Sequence, residues 1–270
     1  MNRDHLGIAP QPGLDIYEFN IQARDGHPIC VRVYKQSDRT GLPLLIYLHG
    51  GLETDDASCR ALAAQIPVLV LSYRVSFSAR EPFSKRIWDS FDAIRWVASQ
   101  GPSELPINLE QGFILGGTFA GANFTAGIAH LSVREGLIPS LTGLLFLAGS
   151  FCHPDVRPAA YRDRRISVDE IDDPPGLTRN MGLLQKINGY HHYSLSLTPV
   201  WQRRLSFIFA GGNPRRDEAL LFEQLLKKED VDTKKYVYSG LPHGFWTTCP
   251  DLDVSKTWGQ DLIEGGSVSF

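Results

Sequence analysis

The sequence predicts an α/β protein in which helices cover both faces of a mostly parallel sheet. Short apolar runs typical of buried strands alternate with stretches whose apolar residues recur at helical spacing. One glycine-rich stretch, residues 116–123, stands between such an apolar run and a helix-like stretch. The chain has 270 residues, of which 43% are hydrophobic, and this is enough to bury one sizeable core. We therefore expect a single domain over residues 1–270.

The predicted elements follow one another in a regular order. Two alternating strands come first, and strands then alternate with helices until a polar, proline-bearing stretch without steady periodicity interrupts them. We predict that this stretch, at about residues 152–200, is a lid-like insertion. The predicted strands are 15–21, 29–34, 42–48, 68–72, 113–115, 141–148, 205–210 and 234–238, and the predicted helices are 57–65, 82–100, 124–135, 215–228 and 254–264.

Charge and hydropathy narrow the classes of partner. The chain carries 27 Lys and Arg residues against 30 Asp and Glu residues, a formal net charge of −3. This balance gives no excess of positive charge that would attract nucleic acid or an anionic membrane. No apolar run approaches the ~18 residues needed to cross a bilayer, and the N-terminus lacks a basic segment followed by an apolar core. We expect a cytoplasmic protein whose partner is a small molecule, and whether it forms a homodimer stays open.

The four cysteines are too scattered for a disulfide framework or a metal site. They form no CxxC pair, which suits reduced thiols. We expect neither a metal nor a cofactor. The cysteines are Cys30, Cys59, Cys152 and Cys249.

The glycine-rich stretch has the form of a nucleophile elbow without a nucleophile. In a Gly-x-Ser-x-Gly elbow, a sharp turn between a strand and a helix lifts the serine above the sheet. Here Gly117 and Gly121 take the flanking positions, and Phe119 takes the position of the serine. A phenyl ring cannot attack a carbonyl carbon. In an intact elbow Phe119 has a positive φ, which costs a bulky residue about 1 to 3 kcal/mol.

Four short segments follow the ends of predicted strands. They are His49-Gly50-Gly51, the elbow at 117–121 with Ala122-Asn123, Arg216-Asp217-Glu218 after Asn213-Pro214, and Pro242-His243-Gly244-Phe245. In this order they resemble the hormone-sensitive lipase family of α/β-hydrolases, and the resemblance extends over nearly the whole chain. It implies the α/β-hydrolase fold. Residues 142–155 further resemble esterase-like members from filamentous fungi, many of them associated with secondary metabolism.

Two of the three catalytic positions of that family are changed. A serine stands in the family where this chain has Phe119, and an aspartate stands where it has Asn213, whereas the histidine is retained as His243. The resemblance therefore implies the fold and argues against the family's usual ester hydrolysis. The segment before the first predicted strand is short, which implies a reduced lid and a more open pocket.

The retained groups have catalytic and structural interpretations. By resemblance, Gly50 and Gly51 are oxyanion-hole residues, and one such amide contributes roughly 3 kcal/mol to a transition state. Alternatively, they only form a tight turn. His243 titrates near neutral pH and is the candidate acid or base, or else a remnant without a role. Asn213 can hold the imidazole by a hydrogen bond but cannot offset its positive charge. Asp217 is either a substitute acid or, by family likeness, part of a structural ion pair.

Several residues are candidates for contact with a ligand. Phe119 either projects into the pocket as an apolar or stacking surface, or plugs a dead site. We expect Thr118, one place earlier in the elbow, to point away from the pocket. His191 and His192 in the predicted lid are either surface residues or polar contacts, and their spacing does not make a metal site. The candidate substrate-binding residues are His49, Phe119, Cys152 and Trp246.

The sequence leaves three functions open. The first is a non-hydrolytic enzyme, a cyclase, isomerase or dehydratase acting on a carbonyl-bearing apolar small molecule, because proton transfer beside a carbonyl needs no acyl-enzyme. The fungal resemblance associates that molecule with a polyketide-type natural product. The second is a receptor-like binding protein with an incomplete triad, and the third is an inert pseudo-hydrolase. Substrate-binding and ligand-retaining pockets use the same residue types, so the sequence does not separate them.

Overall fold

Eight strands of the described chain form one sheet. The computed structural model describes residues 10–49, 52–74, 83–149, 151, 205–213 and 216–268. The order of the strands across the sheet is β1-β2-β4-β3-β5-β6-β7-β8. In chain order they are β1 (Leu14–Gln22), β2 (Pro28–Gln36), β3 (Leu44–His49), β4 (Leu69–Arg74), β5 (Phe113–Thr118), β6 (Gly143–Leu147), β7 (Leu205–Gly212) and β8 (Thr233–Pro242).

The direction of the strands shows which edge of the sheet is expected to bind a ligand. Strand β1 pairs antiparallel with β2, and β2 pairs antiparallel with β4. The pairings among β3, β4, β5, β6, β7 and β8 are all parallel. The carboxyl ends of these six strands therefore lie along one edge, which is where open α/β sheets bind their ligands. The mostly parallel sheet confirms the predicted fold class.

Helices cover both faces of the sheet. They are α1 (Leu52–Gln65), α2 (Phe83–Glu104), α3 (Ala120–Arg134), α4 (Arg216–Lys228), α5 (Phe245–Thr248) and α6 (Asp253–Val268). Buried side chains of α2, α3 and α4 belong to a first core cluster, and those of α1, α5 and α6 belong to a second. Alternate strand residues supply the two clusters: Leu44 and Ile46 of β3 belong to the first, whereas Leu45 and Tyr47 belong to the second.

Several helices begin or end away from their predicted bounds. The elbow helix was predicted from residue 124 but begins at Ala120, and α1 begins at Leu52 where the prediction began at 57. Apolar periodicity marks only the turns of a helix that are buried against the core, so it misses a first turn of small or polar residues. The predicted loop at 242–246 contains the start of α5, one turn of helix that is too short to show a period.

Two further expectations concern the lid and membrane-spanning helices. The predicted lid at about 152–200 lies outside them. Within the described ranges, the helices are too short or too polar to cross a membrane.

Candidate active site

Four of the predicted site residues lie at the carboxyl ends of parallel strands. His49 is the last residue of β3, and Phe119 directly follows β5. Asn213 directly follows β7, and His243 directly follows β8. The fold thus brings residues that are far apart in the chain to the same edge of the sheet.

The two elbow glycines permit a close approach between the elbow and β3. A Cβ atom on Gly121 would lie 1.9 Å from the carbonyl oxygen of Leu48, and one on Gly117 would lie 2.6 Å from the same oxygen. Neither distance is sterically allowed, so a larger residue at either position would force the elbow away from β3. The glycine pattern is therefore required by packing, whether or not the elbow carries a nucleophile.

The backbone of Phe119 has the strained conformation of a nucleophile elbow. Its φ is 54° and its ψ is −113°. Its N–H donates to the carbonyl oxygen of Leu147 at 2.8 Å, and its own carbonyl oxygen accepts from the N–H of Asn123 at 3.3 Å. A positive φ at a bulky residue costs about 1 to 3 kcal/mol and persists only where its surroundings enforce it. The elbow is intact although its serine is absent.

The phenyl ring of Phe119 occupies the space beside His243. The ring centroids are 4.4 Å apart with the planes inclined by 38°. His243 is exposed and Phe119 is half-buried. The next residue, Gly244, has a φ of 72°, and a Cβ atom there would lie 3.4 Å from Cζ of Phe119. Aromatic packing therefore replaces the hydrogen bond that a serine would make to the histidine in an active hydrolase.

Trp246 lies in contact with Phe119 and deeper in the protein. The two ring centroids are 5.7 Å apart and the planes are inclined by 22°. The indole of Trp246 is only 7% exposed, and it stacks on Trp258 with centroids 4.5 Å apart and planes inclined by 5°. Trp246 therefore supports Phe119, and its predicted contact with substrate stays a prediction. Trp258 was not among the predicted site residues, since no local pattern indicates that two indoles on separate helices stack.

Thr118 is not available to a ligand. Its side chain is 1% exposed, and its hydroxyl shares a hydrogen bond with the phenol of Tyr47 on the neighbouring strand β3. Burial raises the pKa of Tyr47 well above its ordinary value, so the phenol keeps its proton at neutral pH. The pair links β5 to β3 below the elbow. It confirms that Thr118 does not face the pocket.

Asn213 forms part of an ordered turn after β7. Its N–H donates to the carbonyl oxygen of Ala210 at 3.1 Å, and its carbonyl oxygen accepts from the N–H of Arg216 at 2.9 Å. The residue is 1% exposed. Asp217 forms the expected ion pair, with its Oδ1 atom 3.0 Å from Nε of Arg216. Asp217 therefore takes part in an ion pair at the start of α4, and its alternative role as a substitute acid stays a prediction.

A backbone donor follows the elbow residue. In α/β-hydrolases the amide after the nucleophile forms part of the oxyanion hole. Here that residue is Ala120, the first residue of α3, and the first amides of a helix have no partner within the helix. They also lie at the positive end of the helix dipole. Ala120 was not among the predicted oxyanion-hole residues, although its place directly after Phe119 in the elbow pattern was a signal for it.

The remaining candidates have no tested role. His49 is 1% exposed at the end of β3, so its contact with substrate stays a prediction. Gly50, Gly51 and Cys152 lie outside the described residues. Within the ranges that the structure describes, no three His, Cys, Asp or Glu side chains are grouped to hold a metal ion.

Comparisons with known proteins place this geometry in a family. Residues 45–247 match the family model described as alpha/beta hydrolase fold. The chain is 28% identical over 277 residues to an AB hydrolase superfamily protein of Schizosaccharomyces pombe, covering 96% of this chain and 81% of that protein. It is 24% identical over 292 residues to a versiconal hemiacetal acetate esterase of Dothistroma septosporum, covering 96% of this chain and 84% of that protein.

The crystal structure of a vibralactone cyclase has the same fold. The TM-score is 0.81 at 24% sequence identity, and the match covers 96% of this chain and 81% of that one. At this level of identity the structural likeness shows the fold alone. With the family match over most of the chain, the intact elbow and the strand-end histidine, the chain belongs to the alpha/beta hydrolase fold family, among the relatives of hormone-sensitive lipase.

Proposed function

We propose that this protein is a non-hydrolytic enzyme that cyclises, isomerises or dehydrates a carbonyl-bearing, largely apolar small molecule. The observation that carries the proposal is the contact between Phe119 and His243, whose ring centroids are 4.4 Å apart. The phenyl ring takes the place of the nucleophile, so no acyl-enzyme forms at the elbow. The titratable imidazole is retained beside it.

The retained groups suit proton transfer beside a carbonyl. His243 removes a proton from the carbon next to the carbonyl, and the electron pair moves onto the carbonyl oxygen. The amide of Ala120, with those predicted at Gly50 and Gly51, stabilises the resulting enolate. Return of the proton to another carbon isomerises the molecule, and loss of a β-hydroxyl group with that proton releases water. Attack of the enolate carbon on a second carbonyl carbon of the same molecule closes a ring: the π bond of that carbonyl breaks, and its oxygen takes back the proton from His243.

The aromatic surface supports an apolar substrate. Phe119 packs against the second core cluster and remains half-buried, so it offers an apolar face at the strand ends. Holding a flexible molecule folded against such a face lowers a ring-closing barrier mainly by orientation. The chain is similar to a protein named as a vibralactone cyclase and to one named as a versiconal hemiacetal acetate esterase, and these names support cyclisation of a natural-product intermediate. We propose a polyketide-type intermediate because residues 142–155 resemble esterase-like members from filamentous fungi.

A ligand-binding protein with a non-catalytic pocket is the second candidate, and an inert pseudo-hydrolase is the third. The observation that favours them is Asn213, because a neutral amide does not offset the charge of an imidazolium as an aspartate does. A weaker base suits retention of a ligand better than turnover.

The protein is also proposed as a possible homodimer. Sedimentation equilibrium measures whether the purified protein is a monomer or a homodimer.

One experiment separates the three. Metabolites of the source organism are compared with and without this gene, and purified protein is added in catalytic amount to the compound that accumulates without it. Formation of the missing product in many equivalents per protein supports the enzyme. Binding of one equivalent without conversion supports the binding protein, and neither binding nor conversion supports the inert relic.

A further inference from the structure

The ring of Phe119 depends on its neighbours for its orientation. The strained backbone fixes the direction of the Cα–Cβ bond, but rotation about the side-chain bonds stays open. Among the described residues, two rings contact it, His243 at 4.4 Å and Trp246 at 5.7 Å between centroids. His243 is exposed, whereas Trp246 is buried. Trp246 is therefore the more firmly held of the two.

Trp246 in turn depends on a residue outside the site. Its helix, α5, has only four residues, and a single turn of helix is not stable by itself. The indole lies parallel on the indole of Trp258, with centroids 4.5 Å apart and planes inclined by 5°. Phe245 meets it edge-on at 5.3 Å. Offset parallel stacking of this kind restricts both the tilt and the slide of a ring.

Trp258 has the anchorage that α5 lacks. It belongs to α6, a helix of 16 residues, and its side chain is 6% exposed within the second core cluster. Its buried Nε1 atom makes no hydrogen bond to any residue that the structure describes. The indole is therefore held by packing and contacts its surroundings through its faces and edges.

From this continuous stack we infer that Trp258 is a positioning residue, which acts through Trp246 to set the orientation of the Phe119 ring beside His243. The effect on the ring stands on these contacts alone. The consequence for a ligand rests on the proposed function. In that function a planar, conjugated part of the substrate lies against the face of the Phe119 ring. The ring keeps its orientation toward the substrate because α6 holds Trp258, and Trp258 holds Trp246.

The test uses the His243 ring as a reporter that needs no ligand. Protons of His243 beside the Phe119 ring carry a ring-current shift, and their NMR signals are assigned by their loss in His243→Gln. Phe119→Ala abolishes the ring-current shift at His243 and so defines its full size. Trp258→Leu removes the flat face under Trp246, and we expect it to remove most of that shift. Trp258→Phe keeps a stacking ring and retains most of the shift. In the Phe119→Ala background, Trp258→Leu has no further effect.

A matched tryptophan controls for general loosening of the fold. Trp96 packs against the first core cluster and contacts Phe19 at 5.7 Å, outside the stack. Trp96→Leu leaves the His243 signals in place. If Trp258→Leu does not fold, Trp258→Met replaces it, because the flexible thioether chain adapts to the gap that the indole leaves without offering a flat face, and the same loss is expected. Unchanged His243 signals in the folded Trp258 variant, or a change of the same size in the Phe119→Ala background, would overturn the inference.

A pair of fatty acids tests the consequence for a ligand. The conjugated tetraene trans-parinaric acid and the saturated stearic acid have the same chain length. We expect Trp258→Leu to weaken binding of the tetraene about 3- to 10-fold and to leave that of stearic acid within about 2-fold, because only the planar chain stacks. If the NMR coupling is present and neither acid binds the parent protein, the positioning role stands and the apolar pocket of the proposed function fails. Equal weakening of both acids would overturn the role in stacking.

Discussion

The turns after β5 and after β7 have each lost a catalytic residue of the family, but in different ways. After β5, a phenyl ring stands in place of a small serine, and Phe119 stacks with His243 and Trp246. After β7, an amide stands where the family resemblance implies an aspartate of nearly the same shape, and Asn213 is buried at 1% exposure. The first change alters the shape of the site, and the second alters only its charge.

Both turns nevertheless have an ordered backbone, and the turn after β5 has that of a nucleophile elbow. Gly117 and Gly121 are required by the approach of β3, and Phe119 keeps a φ of 54°. Asn213 keeps hydrogen bonds of 3.1 and 2.9 Å on either side of its turn. The frame of the site is therefore set by packing, which does not depend on the chemistry of the two side chains. Losing the nucleophile does not by itself change the backbone of the elbow.

Ester hydrolysis gives the largest expected effect. With p-nitrophenyl acetate, we expect a rate about 10⁴-fold or more below that of an active esterase of the family, because loss of a triad nucleophile costs up to about 10⁶ in kcat. An oxyanion hole alone can keep the residual rate about 10³-fold above that of the uncatalysed reaction in water. This residual rate should be insensitive to a serine-directed phosphonate. Phe119→Ser with Asn213→Asp should raise hydrolysis, whereas Asn213→Asp alone should not. Phosphonate-sensitive turnover of the parent at an esterase's rate would refute the non-hydrolytic account.

His243 gives the next largest effect. Once a converted compound is identified, His243→Ala should slow turnover by about 10² to 10⁴ and leave binding within a few-fold, because general acid–base help is worth that factor. His243→Gln offers a hydrogen bond without a titrating proton and should be similarly slow. As a control, His27→Ala in the turn between β1 and β2 should not change the rate. If His243→Ala turns over at the parental rate, catalysis depends on orientation by the aromatic surface alone.

Phe119→Ala separates a ligand surface from a plug. Because Phe119 is half-buried and strained, we expect its truncation to lower the free energy of unfolding by less than about 2 kcal/mol. Phe207 is fully buried in the first core cluster, and Phe207→Ala should cost about 3 to 5 kcal/mol. Urea denaturation compares the two, and ligand affinity should weaken only in Phe119→Ala. A loss as large as that of Phe207→Ala with unchanged binding would identify Phe119 as a plug.

Asn213→Asp gives the smallest effect and depends on pH. Burial raises the pKa of a new carboxyl in the folded state above its unfolded value of about 3.9, so the fold loses stability as pH rises past that value. We expect the variant to match the parent near pH 3 and to be about 1 to 3 kcal/mol less stable near pH 8. Asn20→Asp, at an exposed position of β1, should show little difference at either pH. Equal stability of Asn213→Asp at both values would mean that the turn still accommodates a charged acid.

The features that local sequence could predict are those that a short segment specifies by itself. Alternation and helical periodicity predicted the order of strands and helices, and the glycine spacing predicted the elbow with its positive φ at Phe119. The burial of Thr118 follows from its place one residue earlier in the same turn. These depend on neighbours in the chain, so no knowledge of tertiary packing was needed.

The stack of Trp246 on Trp258 could not be predicted in this way. It depends on how α5 and α6 pack, and α5 is too short for helical periodicity to show which way the side chain of Trp246 faces. The bond between Tyr47 and Thr118 likewise depends on the register of β3 against β5, which pairs Tyr47 with Gly116. The roles expected for Gly50, Gly51 and Cys152 stay predictions.

Conversion without hydrolysis is tested most directly by the mass of the product formed in water enriched in heavy oxygen. The accumulating compound is incubated with a catalytic amount of the protein, and the product is analysed by mass spectrometry. Cyclisation or isomerisation leaves the mass of the substrate unchanged, dehydration lowers it by one water, and neither introduces the label. The account predicts one of these two results. An acid and an alcohol whose masses add up to that of the substrate plus one labelled water, and that do not form with heat-inactivated protein, would contradict it. The same inactivated control corrects for spontaneous exchange of the carbonyl oxygen with the labelled water.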